Sequence, residues 1–219
     1  MSASESLHLH AERIIKPPYR NIGSDYLHMQ FLTAQETPIG WTIQTARPNL
    51  LDEQNKYSEG YVSCTGIVIT GDSIANNKPI STLTHHVPGV VMDPRFEGII
   101  ETMAKDVKNK AIRETVEVGI VGGAISLSHE TDTDINVPGI IKITEILVRL
   151  IREHIGVNPV FLAGPIIAQS GTPTNVYLHT AQKKLHIAAL HHKEGSFIPG
   201  SFPANELTSR IKEFQSRLT

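Results

Sequence analysis

Residues 61–70 read Tyr-Val-Ser-Cys-Thr-Gly-Ile-Val-Ile-Thr, and the way this run meets residues 80–87, Ile-Ser-Thr-Leu-Thr-His-His-Val, decides the fold. Both runs are rich in β-branched residues, which suit a pleated and half-buried surface, so each is expected to form a strand. Between them, Gly71-Asp-Ser-Ile-Ala-Asn-Asn-Lys-Pro79 is dense in turn residues and reverses the chain. The result is a hairpin with a long tip at or near Asn76-Asn77. Its open end brings the pair His85-His86 back toward Cys64.

Outward from the hairpin, helices and strands follow in order. Asp93-Pro94 offers a cap and a proline at the first helical position, and Phe96, Ile99, Ile100, Met103 and Val107 recur at helical spacing. A helix is therefore expected from Pro94 to Lys110. Val116 to Leu127 returns to strand character with a break at Gly122-Gly123, and Ile140 to Ile155 reads as a second helix ended by Gly156. Val160 to Ile167, Thr174 to His179 and Leu185 to Leu190 read as strands, and Leu207 to Leu218 as a closing helix that begins near Asn205. Upstream, Tyr26 to Thr33 and Trp41 to Ala46 are expected strands, Arg47 to Lys56 a loop or short helical turn, and residues 1–20 a poorly ordered lead-in. This leaves a single domain over residues 21–219. The expected class is α+β, a layered α/β arrangement with β-sandwich-like mixed sheets flanked by helices.

Composition narrows the function. A chain of 219 residues supports one sizeable core, and a formal charge of −2 with dispersed basic residues gives no pull toward nucleic acid. The densest basic cluster, Lys183-Lys184, is too small for such a patch. No apolar run has the length of a membrane span, and residues 1–16 lack the order of a signal peptide, so synthesis in the cytoplasm is expected, with export by a signal-independent route left open. One cysteine allows neither an internal disulfide nor a Cys-rich zinc site.

Cys64 is the residue around which chemistry can be built. A cysteine in an apolar strand is most often a small buried hydrophobe. The hairpin, however, returns an imidazole to it, and an imidazole can take the thiol's proton and give it to a leaving amine. Neighbours on a strand point to opposite faces, so only one of His85 and His86 can face Cys64; the other is expected in solvent or capping the Pro88-Gly89 turn. Ser58, six residues before the cysteine, is placed to orient the ring, and the backbone N–H groups of Ser63 and Cys64 are candidate oxyanion donors.

The run Ser58-x-Gly60-x-x-Ser63-Cys64, an apolar strand, a second strand ending in His86-Val87, a helix, and then Gly122-Gly123-Ala124 together resemble the chemoreceptor glutamine deamidases of the CheD family. The Cys64-Thr65 pair is also similar to the catalytic domains of the cytotoxic necrotizing factor toxins. The resemblance covers roughly Tyr57 to Leu190. It implies a CheD-like layered fold, Cys64 as nucleophile, His86 as the acid–base histidine and Ser58 in the place of the family's threonine. It also implies hydrolysis of a side-chain amide on a protein that presents a glutamine. The chain departs from the family in that serine, in a longer loop between cysteine and histidine, and in lacking the glycine- and arginine-bearing segment where Leu162 to Asn175 stands.

Other readings compete. Eleven histidines invite a metal site, with His85-His86 and His191-His192 converging near His179 or His186. Adjacent strand histidines rarely share one metal and carboxylate partners at ligand spacing are absent, so no metal is expected. Gly119 to Ala124 lacks the spacing and the following helix of a dinucleotide loop, and Glu130 to Asp134 lacks the glycine of a calcium loop, so no cofactor is expected either. A binding or scaffold module whose site has lapsed is the remaining alternative to an enzyme.

Overall fold

A computed structural model describes residues 10–14, 42–43, 51–61, 63–122, 124–126, 137–162, 166–168, 174–189 and 201–218. The strands are β1 (His10–Ile14), β2 (Thr42–Ile43), β3 (Lys56–Tyr61), β4 (Thr65–Asp72), β5 (Pro79–Leu83), β6 (Glu117–Gly122), β7 (Ala124–Ser126), β8 (Val160–Leu162), β9 (Ile166–Ala168), β10 (Thr174–His179), β11 (Lys184–Ala189) and β12 (Ser201–Pro203). The helices are α1 (Pro88–Val91), α2 (Phe96–Lys110), α3 (Val137–Leu150) and α4 (Leu207–Leu218), and a π-helical turn, Ile151–Ile155, extends α3 to a left-handed Gly156 at φ 72°.

Two five-stranded sheets carry the architecture, in the orders β1-β11-β10-β3-β2 and β12-β8-β6-β4-β5, and β7 pairs with β9 apart from them. Both large sheets mix parallel and antiparallel neighbours. Between them lies one apolar cluster: Tyr61, Val176, Leu178 and Leu185 from the first sheet meet Val68, Leu83 and Val121 from the second. The other face of the second sheet (Ile67, Ile69, Ile80, Val118, Ile120) packs on the helices through Phe96, Ile100, Met103 and Val107 of α2 and Ile140, Ile143 and Leu147 of α3. Strands with apolar residues on both faces need cover on both sides, and helices with one apolar stripe supply it on one of them. The fold is α+β, sheet on sheet with helices on one side.

The hairpin forms, with its tip at Asn76-Asn77. Asp72 pairs with Pro79, Val68 with Leu83, and beyond β5 an isolated bridge joins Thr65 to His86. At the tip Asn77 is left-handed at φ 57°, and the Asn76 side chain accepts a hydrogen bond from Lys78 N–H at 3.0 Å.

Several sequence expectations need correction. Residues 61–70 are not one strand: Tyr61 ends β3 in the first sheet and Thr65 begins β4 in the second, so Ser63 and Cys64 lie in the crossing between sheets. β-branched composition marks extended backbone but not a change of sheet. The 160–167 segment also divides, its halves joining different ladders on either side of Gly164-Pro165. α2 starts at Phe96 rather than Pro94, because Asp93 closes a turn on Arg95 N–H (2.8 Å), and α1 precedes it unforeseen. Within the expected lead-in, residues 10–14 pair in parallel with β11, since an edge strand is recruited by backbone groups that composition does not display. The expected strand over 26–33 and the His191-His192 pair lie outside the described residues. No helix among the described residues is long and apolar enough to cross a membrane.

Candidate active site

The Thr65–His86 bridge sets the geometry of the site. Thr65 N–H donates to His86 O at 2.9 Å and His86 N–H donates to Thr65 O at 2.7 Å, so these two residues stand directly opposite and share a face. That face is fixed by Ile67 and Ile69, two and four residues on, which belong to the helix-side core. Cys64, Gly66 and His85 therefore turn the other way, toward the space between the sheets, and Cys64 packs against the cluster there.

The two histidines have opposite surroundings. His86 is wholly buried, meets the Phe96 ring edge-on at 4.9 Å, and neither of its ring nitrogens has a hydrogen-bond partner. Burial, with His85 beside it, pushes its pKa down to about 4. His85 is half-buried, and its Nδ1 lies 3.1 Å from Ser58 Oγ. It is therefore His85, the alternative, and not the expected His86 that shares a face with Cys64. The residue left over is neither solvent-exposed nor a turn cap; it is a core side chain under α2. The physical reason is the parity set by the Thr65–His86 pair.

Ser58 is buried on β3 and Cys64 is half-buried in the crossing that follows that strand. Thr65 N–H is engaged by His86 O and is not available as an oxyanion donor, which leaves the amides of Ser63 and Cys64 as the candidates. Burial raises the Cys64 thiol above its ordinary pKa, opposed by a Ser63 hydrogen bond, and burial lowers His85. Both effects disfavour charge, so the pair rests as thiol and neutral imidazole at neutral pH.

Sequence reasoning missed Tyr61. Its ring stacks on the His85 imidazole with centroids 4.1 Å apart and planes 12° from parallel, and its hydroxyl donates to Thr84 O at 2.7 Å. In a regular strand, residues three apart face opposite sides, yet Ser58 and Tyr61 are both buried beside His85. A register shift against β10 accounts for it: Tyr61 pairs with Thr174 and Ser58 with Val176, one more residue on β3 than on β10. Gly60 within the strand was the readable signal of that bulge.

Two glycines seat the tyrosine ring. A Cβ at Gly66 would meet Thr84 O at 2.4 Å and the Tyr61 hydroxyl at 2.8 Å. At Gly122, held at φ 78°, a Cβ would meet Cys64 O at 2.6 Å and Tyr61 Cδ1 at 2.8 Å. Gly122 pairs with Thr65, which places it beside Cys64.

No family model matches the chain, and no curated protein matches it in sequence. A thiol, an imidazole on the same face and a hydroxyl on the imidazole's Nδ1 are the parts needed for acyl transfer through a thioester. Elsewhere, among the described residues, the His and carboxylate side chains whose donor atoms converge within 4.8 Å are Glu97, Glu153 and His154. They form ordinary surface pairs, His154 Nε2 to Glu97 Oε1 at 2.9 Å and Arg149 to Glu153 at 2.7 Å. His85 is engaged by Ser58 and Tyr61, and His86 faces the helix side, so these two imidazoles lie on opposite faces of the strand end.

Proposed function

We propose that the protein is a cysteine-dependent hydrolase of side-chain amides, acting on a glutamine presented by another protein, with Cys64 as nucleophile, His85 as acid–base residue and Ser58 as its orienting partner. The observation that carries the reading is the 3.1 Å approach of Ser58 Oγ to His85 Nδ1 on the face that also holds Cys64. The likeness of residues 57–190 to the CheD-type and necrotizing-factor deamidases supports it, with the histidine moved by one position.

In the proposed reaction His85 takes the thiol proton as sulfur attacks the carboxamide carbon. The C–N bond then breaks, and the nitrogen leaves as ammonia with that proton. Water, deprotonated by His85, opens the thioester to give glutamate and returns the proton to sulfur. A protein target is in keeping with the exposed apolar side chains of Val87, Val90 and Met92, which follow the histidines in the chain and could contact a peptide.

The test is incubation with glutamine-bearing proteins, followed by ammonia release and Gln-to-Glu conversion read by mass spectrometry. Activity is expected in the wild type and lost in Cys64→Ala; activity that survives Cys64→Ala sinks the mechanism. A second reading, a binding module with a lapsed site, is favoured by the burial that keeps the thiol protonated. Alkylation of Cys64 that is slow and appears only at alkaline pH supports that reading, whereas alkylation following the titration of His85 supports the enzyme.

A further inference from the structure

β5 is the terminal strand of the second sheet, and just beyond it one residue is left with an unpaired backbone. Thr84 N–H donates to Ile67 O at 3.0 Å, and His86 exchanges two bonds with Thr65 at 2.7 and 2.9 Å. Backbone groups alternate in direction along an antiparallel ladder. The N–H and C=O of His85, between those two residues, therefore point away from β4 to the outer edge. Neither group has a hydrogen-bond partner among the described residues. The same edge takes a pairing chain further back. Ser81, of the same parity, is bridged from outside by Asp52, with bonds of 2.8 and 3.2 Å. Continued in that antiparallel register, the sequence before Asp52 would set Pro48 against His85, and proline has no N–H to give to the His85 carbonyl. On the far side Pro88 opens α1, and the Val90 and Val91 amides occupy the Val87 carbonyl. The opening is confined to His85.

We infer that a protein substrate docks as an added strand on this edge, an extended segment exchanging its own N–H and C=O with those of His85. The inference rests on the proposed hydrolase reading and names the form in which the glutamine is presented. A donor and an acceptor side by side on one residue fit a peptide backbone, which carries the same pair in the opposite sense. A helix does not fit, because the N–H and C=O groups of its middle turns are already bonded to each other. Main-chain bonds hold the segment whatever its sequence. Cross-strand neighbours share a face, so every second side chain of the bound segment falls on the side that holds the His85 ring and Cys64. The residue that supplies the base thus also supplies the backbone that holds the substrate.

The experiment uses the full chain and a short blocked peptide of valine and threonine with a central glutamine, a composition that favours extended backbone. Binding is measured on Cys64→Ala, so that the glutamine is not consumed, and turnover on the wild type. Millimolar peptide is expected to slow hydrogen exchange of the His85 amide by about tenfold, the scale of one added hydrogen bond. Single N-methylation is then walked along the peptide. Methylating the residue opposite His85 removes its donor and is expected to weaken binding by about tenfold, whereas either neighbour, whose N–H faces away, costs less than about twofold. A scan without that alternation overturns the inference, and so does a His85 amide whose exchange the peptide leaves unchanged. Protection of that amide in the free chain overturns it too: the chain's own segment covers the edge if protection is independent of protein concentration, and a second copy does if protection rises with it. Ammonia release is read separately. Alternating binding without turnover leaves the edge standing and removes the hydrolase reading, while turnover that ignores the methylation pattern keeps the enzyme and removes the edge.

Discussion

His85 and His86 are consecutive in the chain, and the two faces of the strand end that they occupy differ in almost every physical respect. One face looks between the sheets, is half open, and offers the imidazole a hydroxyl and an aromatic plane. The other looks onto α2, is closed, and offers only the edge of Phe96 and a Thr65 hydroxyl that itself lacks a hydrogen-bond partner. The contrast teaches that a residue type does not make a site. Partners do, and here partners follow from which side of one cross-strand pair a side chain falls on.

The largest effect that could break this contrast is on catalysis. Cys64→Ala is expected to abolish thiol-dependent ammonia release, and His85→Ala to lower it by about 10²–10⁴-fold with the fold retained. His86→Leu is expected to leave the rate nearly intact. Rates measured for the three variants against the wild type decide the matter, and a His86→Leu as inactive as His85→Ala would reverse the assignment.

The next effect is on stability. The folded pKa of His86, about 4, lies below its ordinary 6.5, so stabilisation from the neutral ring is complete above pH 6.5 and is lost as pH falls toward 4. That shift corresponds to about 3 kcal/mol. Urea unfolding at a series of pH values should show the loss in the wild type and a flatter profile in His86→Leu, since an apolar replacement leaves no buried polar group to charge. Lowered by burial as well, His85 contributes with the same sign and persists in the variant.

Smaller effects sharpen the open face. Gly122→Ala places a side chain on a left-handed residue, at about 1–2 kcal/mol, and drives it toward the Cys64 carbonyl and the Tyr61 ring. A fall in melting temperature together with slower Cys64 alkylation is expected. Ser58→Ala is expected to cost about 1 kcal/mol in the same alkylation barrier, with Ser58→Thr recovering part of it by restoring the hydroxyl.

Much of this was legible in the chain itself. The β4–β5 hairpin, its tip, the apolar stripe of α2 and Gly156 at the end of the second helical segment all follow from local patterns, and they are where expected. Cys64, Ser58 and a histidine at the strand end could be named for the same reason. The choice between His85 and His86 could not, because parity runs unbroken only within one ladder and Cys64 lies in the crossing between the two sheets. Tyr61 was hidden by the bulge, which puts residues three apart on one face. Its partners Gly66 and Gly122 sit on two neighbouring strands of the other sheet, and only the packing of one sheet on the other brings them to the ring.

The hairpin also separates two kinds of freedom. Cys64 and His85 belong to its open end, while residues 73–78 turn at the other end of the eight-residue strand β4, about 25 Å away. Length added at that turn is absorbed far from the sulfur. The span between the cysteine and the histidine can thus drift in evolution, or be fitted with a fluorophore or an affinity handle near Asn76, while the ladder between keeps the two reacting groups in register.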